Sequence, residues 1–226
     1  MSQIQIKTTQ LFASDRSLSW SYLCEKEYPW ELIPHIKNMI FELGKSLDPS
    51  IYNNPVEGVW IAKSAVVAPT AAIGAPTIIG EKTQIRHGAY IRGAVLIGND
   101  CVVGNSSELK NCVLFDGVQV PHFNYVGDSI LGYKAHLGAG AVTSNVKGDR
   151  TVISIKSGET CIDTGCRKLG AFLGDYAEIG CNAVLNPGCI IGQRTSVYPT
   201  ACVRGVIPSD SVVKTGKDIE ITSRRL

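Results

Sequence analysis

No run of apolar residues in this 226-residue chain approaches the ~20 needed to cross a bilayer. The N-terminus also lacks the short apolar core of a secretory signal. Together these absences lead us to expect a cytoplasmic protein with no membrane partner. An excess of charge is missing too. The chain carries 22 Lys and Arg against 20 Asp and Glu, which implies no broad nucleic-acid surface, although a few local cations could still hold a phosphate. Histidine is scarce and widely spread, at four residues, which argues against a zinc site built from three imidazoles. No C-x-x-C pair occurs among the eight cysteines. We therefore expect small apolar residues in a reducing compartment and no bound metal. Residues 1–58 contain no Gly-rich phosphate loop and are too short for a dinucleotide-binding domain.

What the chain does have is a period of six. Ile61, Val67, Ile73, Ile79, Ile85, Ile91, Ile97, Val103, Leu109 and Phe115 recur without a break, and a small or polar residue follows each one. A second run comprises Leu173, Ile179, Leu185, Ile191, Val197 and Val203. Six fits neither a helix at 3.6 nor a strand at two, so it describes a repeating unit of backbone. Such hexapeptide repeats build a parallel β-helix, in which short strands and tight corners coil around a narrow prism filled by the periodic residue. Three hexads make one coil.

The rhythm divides the chain. Residues 1–58 lie outside it and read as helical over Ser17 to Glu27 and Trp30 to Leu47. In the second stretch Leu32, Ile33, Ile36, Met39, Ile40 and Leu43 mark one apolar face, expected to pack on a wall of the β-helix or on a neighbouring subunit. The coils are expected over 59–208, interrupted by a loop over about 146–167 with a strand at Thr151 to Ile155. A polar tail is expected over 209–226. Flat walls and open ends need cover, which favours oligomers and creates clefts between subunits.

Within so regular a repeat, the polar departures carry the chemistry. Arg92, Asn105, Glu108, Lys110, His122, Tyr125, Asp128, His136 and Asn145 form the densest group. A coil of eighteen residues places Arg92 and Lys110 at one corner on adjacent rungs, about 5 Å apart, where two cations suit a phosphate or carboxylate. His122 follows Pro121 where the period slips, and an imidazole suits a general base.

The run NSSELKNCVLFDGVQVPHFNYVGD from Asn105 to Asp128, with LGAGAVTSN ending at Asn145, resembles the acetyltransferase domain of bacterial bifunctional glucosamine-1-phosphate acetyltransferase/N-acetylglucosamine-1-phosphate uridylyltransferases. RKLGAFLGD from Arg167 to Asp175 is closer to archaeal sugar-1-phosphate nucleotidyltransferases with the same C-terminal domain. The resemblance covers about 59–208 and implies an all-β fold, a left-handed β-helix, in a homotrimer with active sites between subunits and acetyl-CoA lying along the groove.

By that resemblance His122 is the catalytic base toward the sugar's 2-amino group, and Glu108 supports it. Arg92 and Lys110 bind the sugar phosphate, and Tyr125 and Asn145 contact the substrate. Backbone groups at Ala139 and Cys181 face the acyl-CoA. His136 stands where the bacterial enzymes carry an asparagine at the sugar site, which leaves the sugar open. Lys147 and Lys156 are both candidates for the family lysine beyond Asn145. The expected function is acetyl-CoA-dependent N-acetylation of a hexosamine 1-phosphate, with no nucleotidyltransferase activity and no metal. The alternatives are transfer to a nucleotide-linked amino sugar, and a non-catalytic scaffold that binds a sugar phosphate or a partner protein.

Overall fold

A computed structural model describes residues 6–12, 15–157 and 160–214. The hexads coil into a left-handed parallel β-helix of about eight turns. Its first wall runs from Val59–Ala62 through Thr77–Ile79, Val95–Ile97, Ala171–Leu173 and Cys189–Ile191 to Val206–Ile207. The second runs from Val66–Val67 through Gln84–Ile85, Val102–Asn105, Gln119–His122 and His136–Leu137 to Val212–Val213. The third includes Ala72–Ile73, Tyr90–Ile91, Val142–Thr143 and Val184–Leu185. Two longer strands, Glu108–Leu114 and Tyr125–Leu131, turn the corner from the third wall into the first.

Most of the periodic residues fill the prism as expected, and Ile85, Ile91, Ile97, Val103, Leu109 and Leu185 are buried. Phe115 does not belong to that column. Leu114, not Phe115, stacks on Ile97, seventeen residues earlier, and Leu131 stacks on Leu114. Both coils lose one residue at the corner between the third and first walls, where Asn111 and Asp128 adopt left-handed φ of 49° and 50°. Phe115 is instead packed against Phe12 of the N-terminal segment, with ring centroids 5.2 Å apart.

That segment lies across the first wall of its own chain. The middle residues of the first-wall strands point away from the prism, yet Ile78, Leu96, Val113, Ile130, Phe172 and Ile190 are completely buried. Trp30 meets Phe172 edge-on at 6.2 Å. Gly44 lets the helix approach so closely that a β-carbon there would sit 2.5 Å from the Trp60 ring. Each such side chain contributes about 1.5–3 kcal/mol of burial. The helices differ from expectation in their bounds. Ser17 to Glu27 holds only the short helix Trp20–Leu23, and Thr8–Leu11 forms an unforeseen one. The longer stretch begins as a 3-10 turn, Pro29–His35, because Pro34 cannot donate, and becomes α-helical over Ile36–Ser46. Strand Tyr52–Val56 then pairs antiparallel with Val59–Ala62 and covers the first wall's free edge.

The insertion leaves at the corner after Asn145 and folds as a hairpin, Ser154–Ser157 against Thr160–Asp163. The expected strand at Thr151 is displaced because the Asp149 side chain accepts from the Thr151 amide and hydroxyl and turns the chain there. The coils reach Val213, so the start of the expected tail is the last rung. Residues 215–226 of that tail lie outside the described residues. Among the described residues, no helix is long and apolar enough to cross a membrane.

Candidate functional site

Two corners of the prism carry the residues singled out by sequence, with the third wall between them. At the corner between the third and first walls, Arg92 and Lys110 stand one rung apart, and the Arg92 amide donates to the Leu109 carbonyl at 2.8 Å. The stacking is as expected, but the charge is not. Arg92 Nη1 donates to Glu108 Oε1 at 2.8 Å, and Lys110 Nζ donates to Asp128 Oδ1 at 3.1 Å. Glu108 holds the Arg92 guanidinium above its ordinary pKa. Each cation carries its own carboxylate, so the pair is electrically neutral rather than a bare dication.

Asp128 is the centre of this corner. Its carboxylate is nearly buried, at 4% exposure. It accepts Asn111 Nδ2 on Oδ1 at 2.8 Å from the rung below, and Asn145 Nδ2 on Oδ2 at 2.6 Å from the rung above. Asn111 Nδ2 also donates to the Ile33 carbonyl of the N-terminal segment at 3.3 Å. Tyr125 reaches the same cluster, its hydroxyl accepting from Asn145 Nδ2 at 3.2 Å. Burial, with the Asp128 charge nearby, pushes the Tyr125 phenol up from its ordinary pKa. Gly127 makes this possible, since a β-carbon there would meet the Tyr125 hydroxyl at 2.5 Å.

His122 occupies the other end of the third wall, at the corner with the second. Its amide donates to Asn124 Oδ1 at 3.0 Å, its carbonyl accepts from Gly140, and its side chain is exposed. Asn124, almost fully buried, ties the corner down by donating to the Gly138 and Ala141 carbonyls. The expected support of His122 by Glu108 is not made within the chain, because the Glu108 carboxylate faces Arg92 on another wall. His122, Ala139 and Cys181 do form one column, joined by Gly140 N–H to His122 O and Asn182 N–H to Ala139 O. Among the described residues, the Ala139 and Cys181 N–H groups find no acceptor. Those of Gly138 and Gly140 are used within the stack.

His136 lies on the second wall, its Nδ1 2.8 Å from Glu178 Oε2. It shares a cleft of about 490 Å³ with Gln119, Lys134 and Tyr176 and does not join the Arg92 cluster within one chain. Lys147 is engaged by Thr151 Oγ1 at 2.6 Å. Lys156 lines a cavity of about 770 Å³ at the hairpin, together with Arg204. Sequence reasoning missed Asn111 and Gly127. The signal was present in the one-residue shortening of the coil and in the glycine two positions after Tyr125. Among the described residues, no group of three His, Cys, Asp or Glu is placed to hold a metal ion.

Residues 75–163 match the family described as GMPPB C-terminal domain. A bifunctional sugar-1-phosphate nucleotidylyltransferase/acetyltransferase of Sulfurisphaera tokodaii is 37% identical over 43% of this chain and 24% of its own length. The bifunctional protein GlmU of Methanococcus maripaludis strain C5 is 31% identical over 53% of this chain and 29% of its own. The chain thus spans less than a third of either relative. Among solved structures, a UDP-N-acetylglucosamine acyltransferase of Francisella novicida aligns at 16% identity and a TM-score of 0.39, covering 64% of this chain and 58% of that one. The chain is a left-handed hexapeptide-repeat β-helix whose central coils resemble those of sugar-1-phosphate nucleotidylyltransferase/acetyltransferases.

Proposed function

We propose that the chain is an acyl-CoA-dependent N-acetyltransferase that acts on a hexosamine 1-phosphate as a homotrimer. The observation that carries this reading is the split between corners. An exposed imidazole stands below two amides that find no acceptor among the described residues, while a buried polar cluster lies one wall away. A chain with these two half-sites makes a complete one when the first corner of one subunit faces the second corner of its neighbour.

In that arrangement acetyl-CoA runs along the column, its acyl arm hydrogen-bonded by the Cys181 N–H. An ammonium is no nucleophile, so His122 takes the proton from the amine as its lone pair attacks the thioester carbonyl. The Ala139 N–H is the stack's remaining donor for the oxyanion, a contribution of about 3 kcal/mol in comparable sites. The intermediate collapses by expelling CoA thiolate, and no acyl-enzyme forms because both substrates share the groove. Arg92, Lys110, Tyr125 and Asn145 hold the acceptor.

Incubation with acetyl-CoA and a panel of amino sugars, followed by thiol release, tests this reading. Turnover that vanishes in His122→Ala supports it. Absence of turnover with every amine, while a sugar phosphate still binds, refutes it in favour of a scaffold. The neutrality of the Arg92–Glu108 and Lys110–Asp128 pairs favours a second reading, a nucleotide-linked amino sugar whose phosphates lie elsewhere. The panel separates the two by including both acceptor types. The N-terminal helices spend their apolar face on their own first wall, which argues against their serving as a docking face.

A further inference from the structure

The Asp128 carboxylate takes four contacts from three side chains on two neighbouring rungs. It accepts Lys110 on both oxygens, Asn111 on Oδ1 and Asn145 on Oδ2. Nothing about packing the prism requires this. The equivalent turn one coil earlier uses Gly93 and Ala94, which carry no polar side chain. The shortened coils put Asn111 and Asp128 in the left-handed region at successive rungs, where a glycine costs less backbone strain. Ala94 has the same left-handed backbone, with φ of 53°, and no polar group, so it is the side chains of Asn111 and Asp128 that set these two rungs apart.

We infer that Asp128 is the positioning residue of the acceptor site, an inference that rests on the proposed acetyltransferase reading. It fixes the Lys110 ammonium and the Asn145 amide relative to each other, and through Asn145 it fixes the Tyr125 hydroxyl. Asn111 extends the same network to the Ile33 carbonyl, so the N-terminal segment sets where the carboxylate sits. Lys110 keeps 28% of its side chain exposed. Its ammonium has three protons, so it can serve Asp128 and a ligand oxygen together.

Asp128→Asn tests this with almost no change in volume. One oxygen becomes an NH2 group and meets the amide of Asn111 or Asn145 donor to donor, and Lys110 loses its counter-charge. The expected result is a KM for the amino-sugar phosphate raised about tenfold, as for loss of one well-placed charged contact. The KM for acetyl-CoA stays near wild type, while the melting temperature falls by several degrees because a buried donor loses its acceptor. Asn111→Gly, compatible with the left-handed backbone, moves the acceptor KM in the same direction by a smaller factor, about threefold. It keeps the test alive if Asp128→Asn does not fold.

Equal changes in both KM values, or none, overturn the inference. If the wild-type protein turns over no amine, the acetyltransferase reading fails by itself. Calorimetric binding of glucosamine 1-phosphate then decides the role of Asp128. A tenfold weaker Kd in Asp128→Asn supports it; equal binding by both proteins, or by neither, overturns it.

Discussion

The Tyr125 hydroxyl occupies the space that a side chain on Gly127 would fill, 2.5 Å from where its β-carbon would stand. The phenol therefore lies back along the third wall toward Asn145 instead of pointing out from it. Gly127→Ala displaces the ring tip, which is the mobile end of the side chain, so the fold loses only about 1–2 kcal/mol. Acceptor binding suffers more, because the Tyr125–Asn145 contact breaks. We expect the acceptor KM to rise about fivefold to tenfold with the acetyl-CoA KM unchanged. Steady-state kinetics beside a thermal melt read both effects.

His122 and Lys110 lie on different corners of one chain, so a site that uses both must draw them from two subunits. His122→Ala lowers turnover by about 10²–10⁴-fold without lowering the melting temperature, since the ring is exposed. Lys110→Ala is defective for a different reason, through the acceptor. Equal co-expression of the two variants restores about a quarter of the wild-type rate, because each interface draws its two halves independently. If the mixture stays as inactive as its components, the shared site is wrong.

The outer face of the first wall makes a stability prediction and also shows what was legible in the sequence. Phe172→Ala removes a fully buried ring that meets Trp30, and it is expected to cost about 3–5 kcal/mol, read by denaturant unfolding. The prism and its period of six were plain, because one inward residue per hexad must be aliphatic. The cover on the first wall was also encoded, in the apolar residue just before the column residue. Ile78, Leu96, Val113, Ile130 and Phe172 hold that place, whereas the second wall mixes Gln84, Gln119, His136, Glu178 and Ser196 with Val66, Val102 and Val212. Phe115 was misread because a strict period cannot register a coil shortened by one residue. Pairings such as Arg92 with Glu108 were beyond reach for a different reason. Periodicity places a residue on a wall but does not choose its partner among several charges within one rung.

Asp116 gives a pH dependence with a definite sign. Burial pushes its carboxyl above the ordinary aspartate pKa, more than the donated Asn99 N–H at 2.7 Å pulls it down. The folded state thus holds a proton that the unfolded state has released. In the window from the ordinary value up to the raised one, stability falls as pH rises. Asp116→Asn keeps the acceptor oxygen for Asn99 and removes the charge. Its melting temperature should exceed that of wild type above the window and show a flatter slope across it. A steeper slope in the variant would assign the effect elsewhere.

Thiol chemistry tests the proposed acyl-CoA column without any knowledge of the acceptor. Burial pushes the Cys101 and Cys189 thiols up to about 12, and Cys112 higher still, so these three stay protonated and inert in the native state. Cys24, Cys161, Cys181 and Cys202 are exposed and should be alkylated by iodoacetamide at pH 8. Cys181 is the one in the His122–Ala139 column, and its own N–H is unpartnered there among the described residues. Saturating acetyl-CoA, which has no free thiol, should slow alkylation of Cys181 at least about tenfold while Cys24 reacts unchanged. Peptide mapping by mass spectrometry resolves the sites. Protection of Cys161 in place of Cys181 would move the cofactor from the column to the cavity at the hairpin, where Cys161 lies with Lys156 and Arg204.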